Sequence, residues 1–186
     1  MECLEKYELL NPFLESYFGG KYILNSFGGN LLSKGASYAN NIHRELRSFS
    51  GKLPLMLNTI VLLDNFTRDN GATWLMHRGH EWPHKPTQEE FDDYAFQIIG
   101  KAGDVVVWNS NLWHKAGENY TDSPRCSVTP EFSRPFFKQG FDYTQYVQDK
   151  HSEYLKQVLG WYSRVPASLN DWYQKPKERF YRSDQG

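Results

Sequence analysis

The sequence KAGDVVVWNSNLWH, residues 101–114, contains the clearest structural signal of this chain. Residues 101–104 contain a glycine and predict a turn. The valine-rich run at 105–108 has high β propensity and predicts a strand. The polar residues 109–111 end that strand and lead to His114. This order predicts a histidine mounted on a loop directly after a strand, where its ring can face a cavity.

Short segments of β character, separated by turn residues, extend in both directions from this stretch. We predict strands at residues 22–27, 41–46, 53–64, 72–76, 105–108 and 125–132. The run at 53–64 is apolar enough to be buried on both faces. Short helices are predicted at residues 11–18, after the capping-box sequence at 87–90, and at 144–159. The pattern predicts a mainly β fold, a double-stranded β-helix (jelly roll) with short peripheral helices, formed as a single domain by residues 1–186.

The bulk composition excludes several functional classes. With a formal net charge of −1 and no run of Lys or Arg, the chain offers no nucleic-acid groove or membrane-surface patch. No apolar stretch approaches the ~18 residues of a membrane span, and residues 1–6 lack the character of a signal peptide. Two cysteines are too few for a disulfide framework. We therefore expect a cytoplasmic protein; its oligomeric state is left open.

Residues 43–45, His-Arg-Glu, form a candidate metal-binding pattern. On an extended strand, residues i and i+2 project to the same side, so His43 and Glu45 can reach one metal ion. His114 supplies a second imidazole. Two imidazoles and one carboxylate on one face of Fe(II) leave the opposite positions open, which is the donor set of non-haem iron oxygenases. The pattern predicts His43, Glu45 and His114 as metal ligands.

A second set of residues indicates a dicarboxylic co-substrate. Arg125 and Ser127 lie two residues apart on a predicted strand, so a guanidinium and a hydroxyl share one face and can bind a carboxylate. Their position shortly after His114 suits the far carboxylate of 2-oxoglutarate. Asn58 lies inside the predicted buried run, where its amide needs a partner. It faces either the co-substrate or a neighbouring strand, and the sequence leaves both possibilities open.

Other interpretations of these residues compete with the oxygenase. Residues 43–47 could be a charged edge strand, and His114 a histidine with its hydrogen bonds satisfied near a strand end. A two-histidine, one-carboxylate site can also hold the Zn²⁺ of a hydrolase, but a hydrolase has no need for Arg125. A non-catalytic binding module is the third alternative. His77, His80 and His84 could bind zinc, but exposed loop residues are the better interpretation because no cysteine accompanies them.

Several segments resemble the signature blocks of the phytanoyl-CoA dioxygenase family. They are residues 63–73 (LDNFTRDNGAT), 102–104 (AGD), the spacing His114-(x)4-Asn119-(x)5-Arg125, and residues 134–143 (RPFFKQGFDY). The likeness runs from about Tyr22 to the C-terminus. It implies a jelly-roll oxygenase that uses Fe(II), 2-oxoglutarate and O2. It also implies that His43, Glu45 and His114 bind iron and that Arg125 pairs with the C5 carboxylate of 2-oxoglutarate.

The chain departs from the family pattern at three places. Glu45 replaces the usual aspartate and is one methylene longer, and residues 77–80 (HRGH) replace a P-G-S-H segment. The family's longer N-terminal region is missing, so we expect a domain shortened there. Related halogenases lack a carboxylate at the position of Glu45, so its presence favours hydroxylation or desaturation. The substrate class expected is a small metabolite.

Overall fold

Helices and strands are short throughout the computed structural model, which describes residues 2–36, 38–175, 179 and 182–185. The strands are β1 Ile23–Leu32, β2 Met56–Leu62, β3 Trp74–Met76, β4 Ala95–Gln97, β5 Val105–Asn109, β6 His114–Lys115 and β7 Arg125–Ser133. The α-helices are α1 Glu2–Glu5, α2 Asn11–Phe18, α3 Gln88–Tyr94, α4 Glu153–Val158 and α5 Leu169–Trp172. Short 3-10 helices cover Lys6–Leu10, Gly79–Glu81, Thr144–Tyr146 and Trp161–Ser163.

The strands form two sheets. The first has the order β1-β7-β2-β5, and the second has the order β4-β3-β6. β2 and β5 are antiparallel with Asn58 opposite Trp108, and β3 is antiparallel to both of its neighbours. β2 is buried along nearly its whole length, as its unbroken apolar run predicts.

Both sheets contribute to one hydrophobic cluster. Ile60 and Leu62 of β2, Leu75 of β3 and Trp108 of β5 pack together with Phe66, whose side chain is fully buried. Apolar faces of two antiparallel sheets therefore enclose a shared core, which is the principle of a sandwich or barrel. This arrangement, with short helices only, confirms the predicted mainly β, jelly-roll fold class.

The chain divides into two compact units, residues 1–26 with 132–186, and residues 27–131. Every residue of the candidate site belongs to the second unit. That residues 1–186 form a single domain stays a prediction. None of the described helices combines the length and the apolar character needed to cross a membrane.

Three predicted elements are correct in type and close in position. α2 is present, although Leu10 rather than Asn11 precedes it, and it ends at Gly19 in the left-handed conformation, φ +68°. The capping box of α3 is formed in both directions: the Thr87 hydroxyl accepts from the Glu90 N–H, and the Glu90 carboxylate accepts from the Thr87 N–H. The valine strand appears as β5.

Other boundaries are wrong. β1 continues through residues 28–30, which were predicted to end it, because these residues pair in the first sheet beside β7. The predicted helix at 144–159 is reduced to α4, since the Ser152 hydroxyl accepts from the Leu155 N–H and caps a new helix there. Residues 41–46 form no strand: only residue 43 makes a β-bridge, and residues 45–48 bend.

Candidate metal centre

His43 and His114 are brought together by the backbone. Each residue's N–H donates to the other's carbonyl oxygen over 2.9 Å, forming an isolated antiparallel bridge. Facing residues of an antiparallel pair carry neighbouring side chains. The two imidazole rings consequently lie 4.3 Å apart between centroids. His114 is 5% exposed, so its ring forms the inner side of the site.

Glu45 completes a cluster of three potential ligands, which we call the His-Glu-His cluster. Its Oε1 lies 3.3 Å from His43 Nε2 and 3.4 Å from His114 Nε2. One ligand atom from each residue lies within 4.8 Å of the others, and no second group of this kind exists among the described residues. Because residue 45 lies in a bend and not on a strand, the alternation expected from the sequence does not aim this side chain; the longer glutamate reaches the two rings from the bend.

Backbone carbonyls set the tautomers of both histidines. His43 Nδ1 lies 2.8 Å from the Asn41 carbonyl oxygen, and His114 Nδ1 lies 2.9 Å from the Leu112 carbonyl oxygen. A carbonyl oxygen can only accept, so Nδ1 carries the proton in each ring. The Nε2 lone pairs of the neutral rings then point at the shared space, which is the arrangement that metal-binding histidines show.

The cluster is electrostatically coupled. Without a metal ion, and when the rings also carry a proton on Nε2, hydrogen bonds from His114 and His43 hold the pKa of the Glu45 carboxyl well below its usual range. In return, the Glu45 carboxylate raises the pKa of His43 above its ordinary value. Glu45 is thus an anion throughout the neutral pH range and is available to a cation.

Arg125 and Ser127 of β7 are buried, at 4% and 2% exposure. The Nε and Nη1 atoms of Arg125 and the Oγ of Ser127 have no hydrogen-bond partner among the described residues. The guanidinium lies 3.9 Å from the centre of the Phe66 ring, and burial lowers the pKa of Arg125 to about 10. A buried cation without an anion is costly, so these donors point to a ligand.

The loop after β2 fixes the start of β7. The Asp64 carboxylate accepts from the Cys126 N–H over 2.7 Å, and the Cys126 carbonyl accepts from the Leu63 N–H over 3.2 Å. These bonds clamp the residue between Arg125 and Ser127. Because side chains two apart on a strand share a face, the clamp orients the guanidinium and the hydroxyl together.

One cavity, with a volume of about 330 Å³, collects these groups. We call it the triad cavity. It is lined by Asn30, Tyr38, Asn41, His43, Glu45, Arg47, Asn58, Ile60, Thr73, Trp108, His114, Ala116, Arg125, Ser127, Thr129 and Glu131. All six residues singled out from the sequence are in this lining. Asn58 is 3% exposed and hydrogen-bonded to the Ser110 hydroxyl, so it contacts the cavity and a neighbouring segment at once.

Trp108 is a site residue that the sequence analysis placed only in the valine-rich strand, without a role in the site. Its ring lies 5.4 Å from that of His114, and its buried Nε1–H has no partner among the described residues. Buried indole N–H groups usually have an acceptor. Its place in the strand directly before His114 is the signal that could have drawn attention to it. Tyr38 and Glu131, also in the lining, had no distinguishing sequence pattern.

His77, His80 and His84 form no metal cluster in the part of the chain that the structure describes. His80 lies 3.9 Å from the Glu81 carboxylate, and its side chain is 43% exposed. Their interpretation as exposed loop residues fits this arrangement.

Comparison with known proteins identifies a family that this chain resembles. The model of the phytanoyl-CoA dioxygenase (PhyH) family matches residues 33–127, just over half of the chain. The chain is 36% identical over 154 residues to the uncharacterised protein Rv1501 of Mycobacterium tuberculosis (strain ATCC 25618 / H37Rv), covering 80% of this chain and 56% of that protein. It is 33% identical over 112 residues to dioxygenase cdmD of Talaromyces verruculosus, covering 57% and 36%.

Among solved structures, EctD from S. alaskensis with 2-oxoglutarate and 5-hydroxyectoine matches with a TM-score of 0.53 at 19% identity, covering 62% of this chain and 45% of that one. At this identity the likeness shows the fold alone. The family model matches just over half of the chain, so the chain belongs to the phytanoyl-CoA dioxygenase family. It spans about half the length of the curated relatives it matches.

Proposed function

We propose that this chain is a non-haem Fe(II) and 2-oxoglutarate-dependent dioxygenase that hydroxylates a C–H bond of a small molecule. One observation carries the proposal: the buried donors of Arg125 and Ser127, which have no partner in the described part of the chain, line the same cavity as the His-Glu-His cluster. A metal site alone has several uses, but a metal site beside an uncompensated buried guanidinium is suited to a chelating dicarboxylate.

The donor set fits Fe(II). His43 and His114 each present an Nε2 lone pair because their Nδ1 protons are donated to backbone carbonyls. Glu45 adds an anionic oxygen. When bound, Fe(II) supplies the activation of O2 that oxidises the co-substrate and the C–H bond. The carboxylate at position 45 fills the place that a halide needs in related halogenases, which favours hydroxylation.

Arg125 and Ser127 are suited to hold the far carboxylate of 2-oxoglutarate. Charge-assisted hydrogen bonds from a guanidinium to a carboxylate are stronger than neutral ones. We assign the Trp108 indole N–H as a further donor toward the bound ligands, since it lines the same cavity and is otherwise unsatisfied. Asn58, fixed by Ser110, contributes an amide to the same wall.

The same site disfavours the competing functions. In a zinc hydrolase, Arg125 would have no role in catalysis, and its buried Nε and Nη1 donors would stay without hydrogen-bond partners among the described residues, at a cost in stability. A binding module would not need three unprotonated ligand atoms directed at one point. We further propose a reducing, cytoplasmic setting, in which Fe(II) persists. We propose a small molecule as the binding partner, and neither nucleic acid nor a membrane.

The test is co-substrate turnover without an added substrate. The protein, loaded anaerobically with Fe(II), is exposed to O2 and carbon-labelled 2-oxoglutarate, and labelled succinate is measured. We expect slow succinate formation with Fe(II) and none with Zn²⁺. Glu45→Ala should reduce the rate by more than about 100-fold, beyond what loss of an outer-shell partner costs.

Glu118→Ala, a change at an exposed position outside the triad cavity, serves as the matched control and should keep the wild-type rate. An enzyme that binds Fe(II) yet forms no succinate at any co-substrate concentration would contradict the oxygenase. Equal rates in wild type and Glu45→Ala would contradict the assignment of the metal ligand.

A further inference from the structure

A second cavity, of about 410 Å³, lies against the triad cavity. Asn41, His43 and Arg47 line both. The remaining lining includes Arg44, His84 and Lys85. We call this space the basic cavity, because three cations and two histidines line it and no carboxylate is in the lining. The chain as a whole has a net charge of −1, so this local excess of positive charge is not a consequence of composition.

Arg44 is the buried cation of the basic cavity, at 8% exposure. Its guanidinium stacks on Trp113, 4.8 Å from the ring centre, and lies 5.5 Å from the centre of Phe49. A single long hydrogen bond of 3.4 Å joins Nη1 to the Trp82 carbonyl oxygen. A guanidinium has five N–H donors, so most of those of Arg44 have no partner among the described residues.

Aromatic stacking holds the Arg44 guanidinium in place without consuming its donors. Arg47 and Lys85 lie at the exposed edge of the basic cavity, and neither forms an ion pair with any carboxylate that the structure describes. A guanidinium held by aromatic rings, with exposed cations around it, is suited to recognise phosphate. A single carboxylate would leave more of this positive charge uncompensated.

We propose that the basic cavity binds the phosphate group of the substrate, so that the enzyme acts on a small phosphorylated molecule. Because Asn41, His43 and Arg47 line both cavities, such a group would lie beside the His-Glu-His cluster, with the carbon skeleton directed toward the triad cavity. This assignment of a substrate class rests on the proposed function. The phosphate site itself does not require metal or co-substrate.

The experiment measures binding to the metal-free protein by calorimetry, with phenyl phosphate and benzoate as paired probes. They share a ring and differ in their anionic group. We expect saturable binding of phenyl phosphate, with benzoate at least about 10-fold weaker, the difference that roughly one charge-assisted hydrogen bond provides. Lys85→Gln and Arg47→Gln should each weaken phenyl phosphate several-fold. Lys101→Gln, at an exposed position outside both cavities, should leave it unchanged.

Three results would overturn the phosphate site: no saturable binding, equal affinity for benzoate, or equal weakening by Lys101→Gln, which indicates general surface attraction. Loss of binding in Arg125→Met would place the probe in the triad cavity and would also overturn it. Because these measurements use no iron or 2-oxoglutarate, their failure leaves succinate formation untouched. Absence of succinate formation, conversely, leaves the binding result standing.

Discussion

At the scale of single residues, the length of the Glu45 side chain determines whether its carboxylate reaches the two histidines. The usual aspartate of this family would end one methylene earlier, and the bend at residues 45–48 places the backbone of residue 45 off the extended path. The longer side chain reaches both imidazole Nε2 atoms, at 3.3 and 3.4 Å. From this bend, the additional methylene of glutamate extends the reach of the carboxylate toward the two rings.

The coupling of Glu45 with His43 predicts a pH dependence. In the metal-free protein, the imidazole of His43 should titrate above the ordinary value of 6.5, because the carboxylate stabilises the imidazolium. The stability from this pair is complete below the unfolded pKa and is lost as pH rises through the raised folded pKa. Protons also compete with metal for His43, so affinity for Mn(II) should fall as pH drops through the same raised pKa.

NMR titration of the histidine ring signals measures this pKa. Glu45→Gln should move the midpoint of His43 to lower pH, whereas Glu118→Gln, outside the triad cavity, should not move it. An unchanged midpoint in Glu45→Gln would show that the carboxylate does not act on the ring.

At the scale of single elements, α3 supports the backbone next to both histidines. Phe91 of α3 is fully buried and packs in one cluster with Ile42, Met76 and Trp113. Ile42 precedes His43, and Trp113 precedes His114. A short helix that is distant in sequence from residue 43 thus supports the two backbone segments that the His43–His114 bridge joins.

Thr87→Ala should weaken this support. Removing the hydroxyl of the capping box leaves the Glu90 N–H without its acceptor, and we expect the free energy of unfolding to fall by about 1 kcal/mol. Urea denaturation measures the change. Asp93→Ala, at an exposed position in the same helix, should leave the stability equal or slightly higher, since it removes an anion from the C-terminal turn. A similar loss in both variants would argue against a specific effect of the cap.

At the scale of the whole molecule, the two sheets share a core while one cavity keeps donors without partners. Arg125 is a cost to the ligand-free protein if the proposed function is right. We expect Arg125→Met to be at least as stable as wild type without ligand, because it removes an uncompensated buried charge. Mn(II) with 2-oxoglutarate at about 100 times its Kd should stabilise wild type by about 2.7 kcal/mol and Arg125→Met much less.

Thermal unfolding with and without the two ligands measures both effects. Arg68→Met, at an exposed position outside the triad cavity, should respond to the ligands as wild type does. Equal stabilisation of Arg125→Met and wild type would contradict the assignment of Arg125 to the co-substrate.

Local features were predictable from the sequence because they depend on neighbouring residues. The valine strand β5 and the Thr87 capping box are of this kind, and the turn at residues 69–71 is equally local. Gly71 has φ +78°, and a Cβ there would lie 2.7 Å from the Gly117 carbonyl oxygen, so only glycine fits. The fold class follows from such signals, whereas the end of β1 and the helix at 144–159 were misjudged, because sheet pairing and a competing cap outweighed local propensity.

The sequence by itself determined which chemical groups this protein has for its site: two imidazoles, a carboxylate and a guanidinium. It also determined the order of the sequence blocks, which resembles that of the phytanoyl-CoA dioxygenase family. Only the tertiary structure decided that His43 meets His114 across a backbone bridge, and that Trp108, whose indole N–H has no partner among the described residues, lines their cavity. It also decided that Arg44 and Lys85 line a neighbouring cavity. Convergence of distant side chains depends on strand register and on packing between sheets, and neither is encoded in the spacing of residues along the chain.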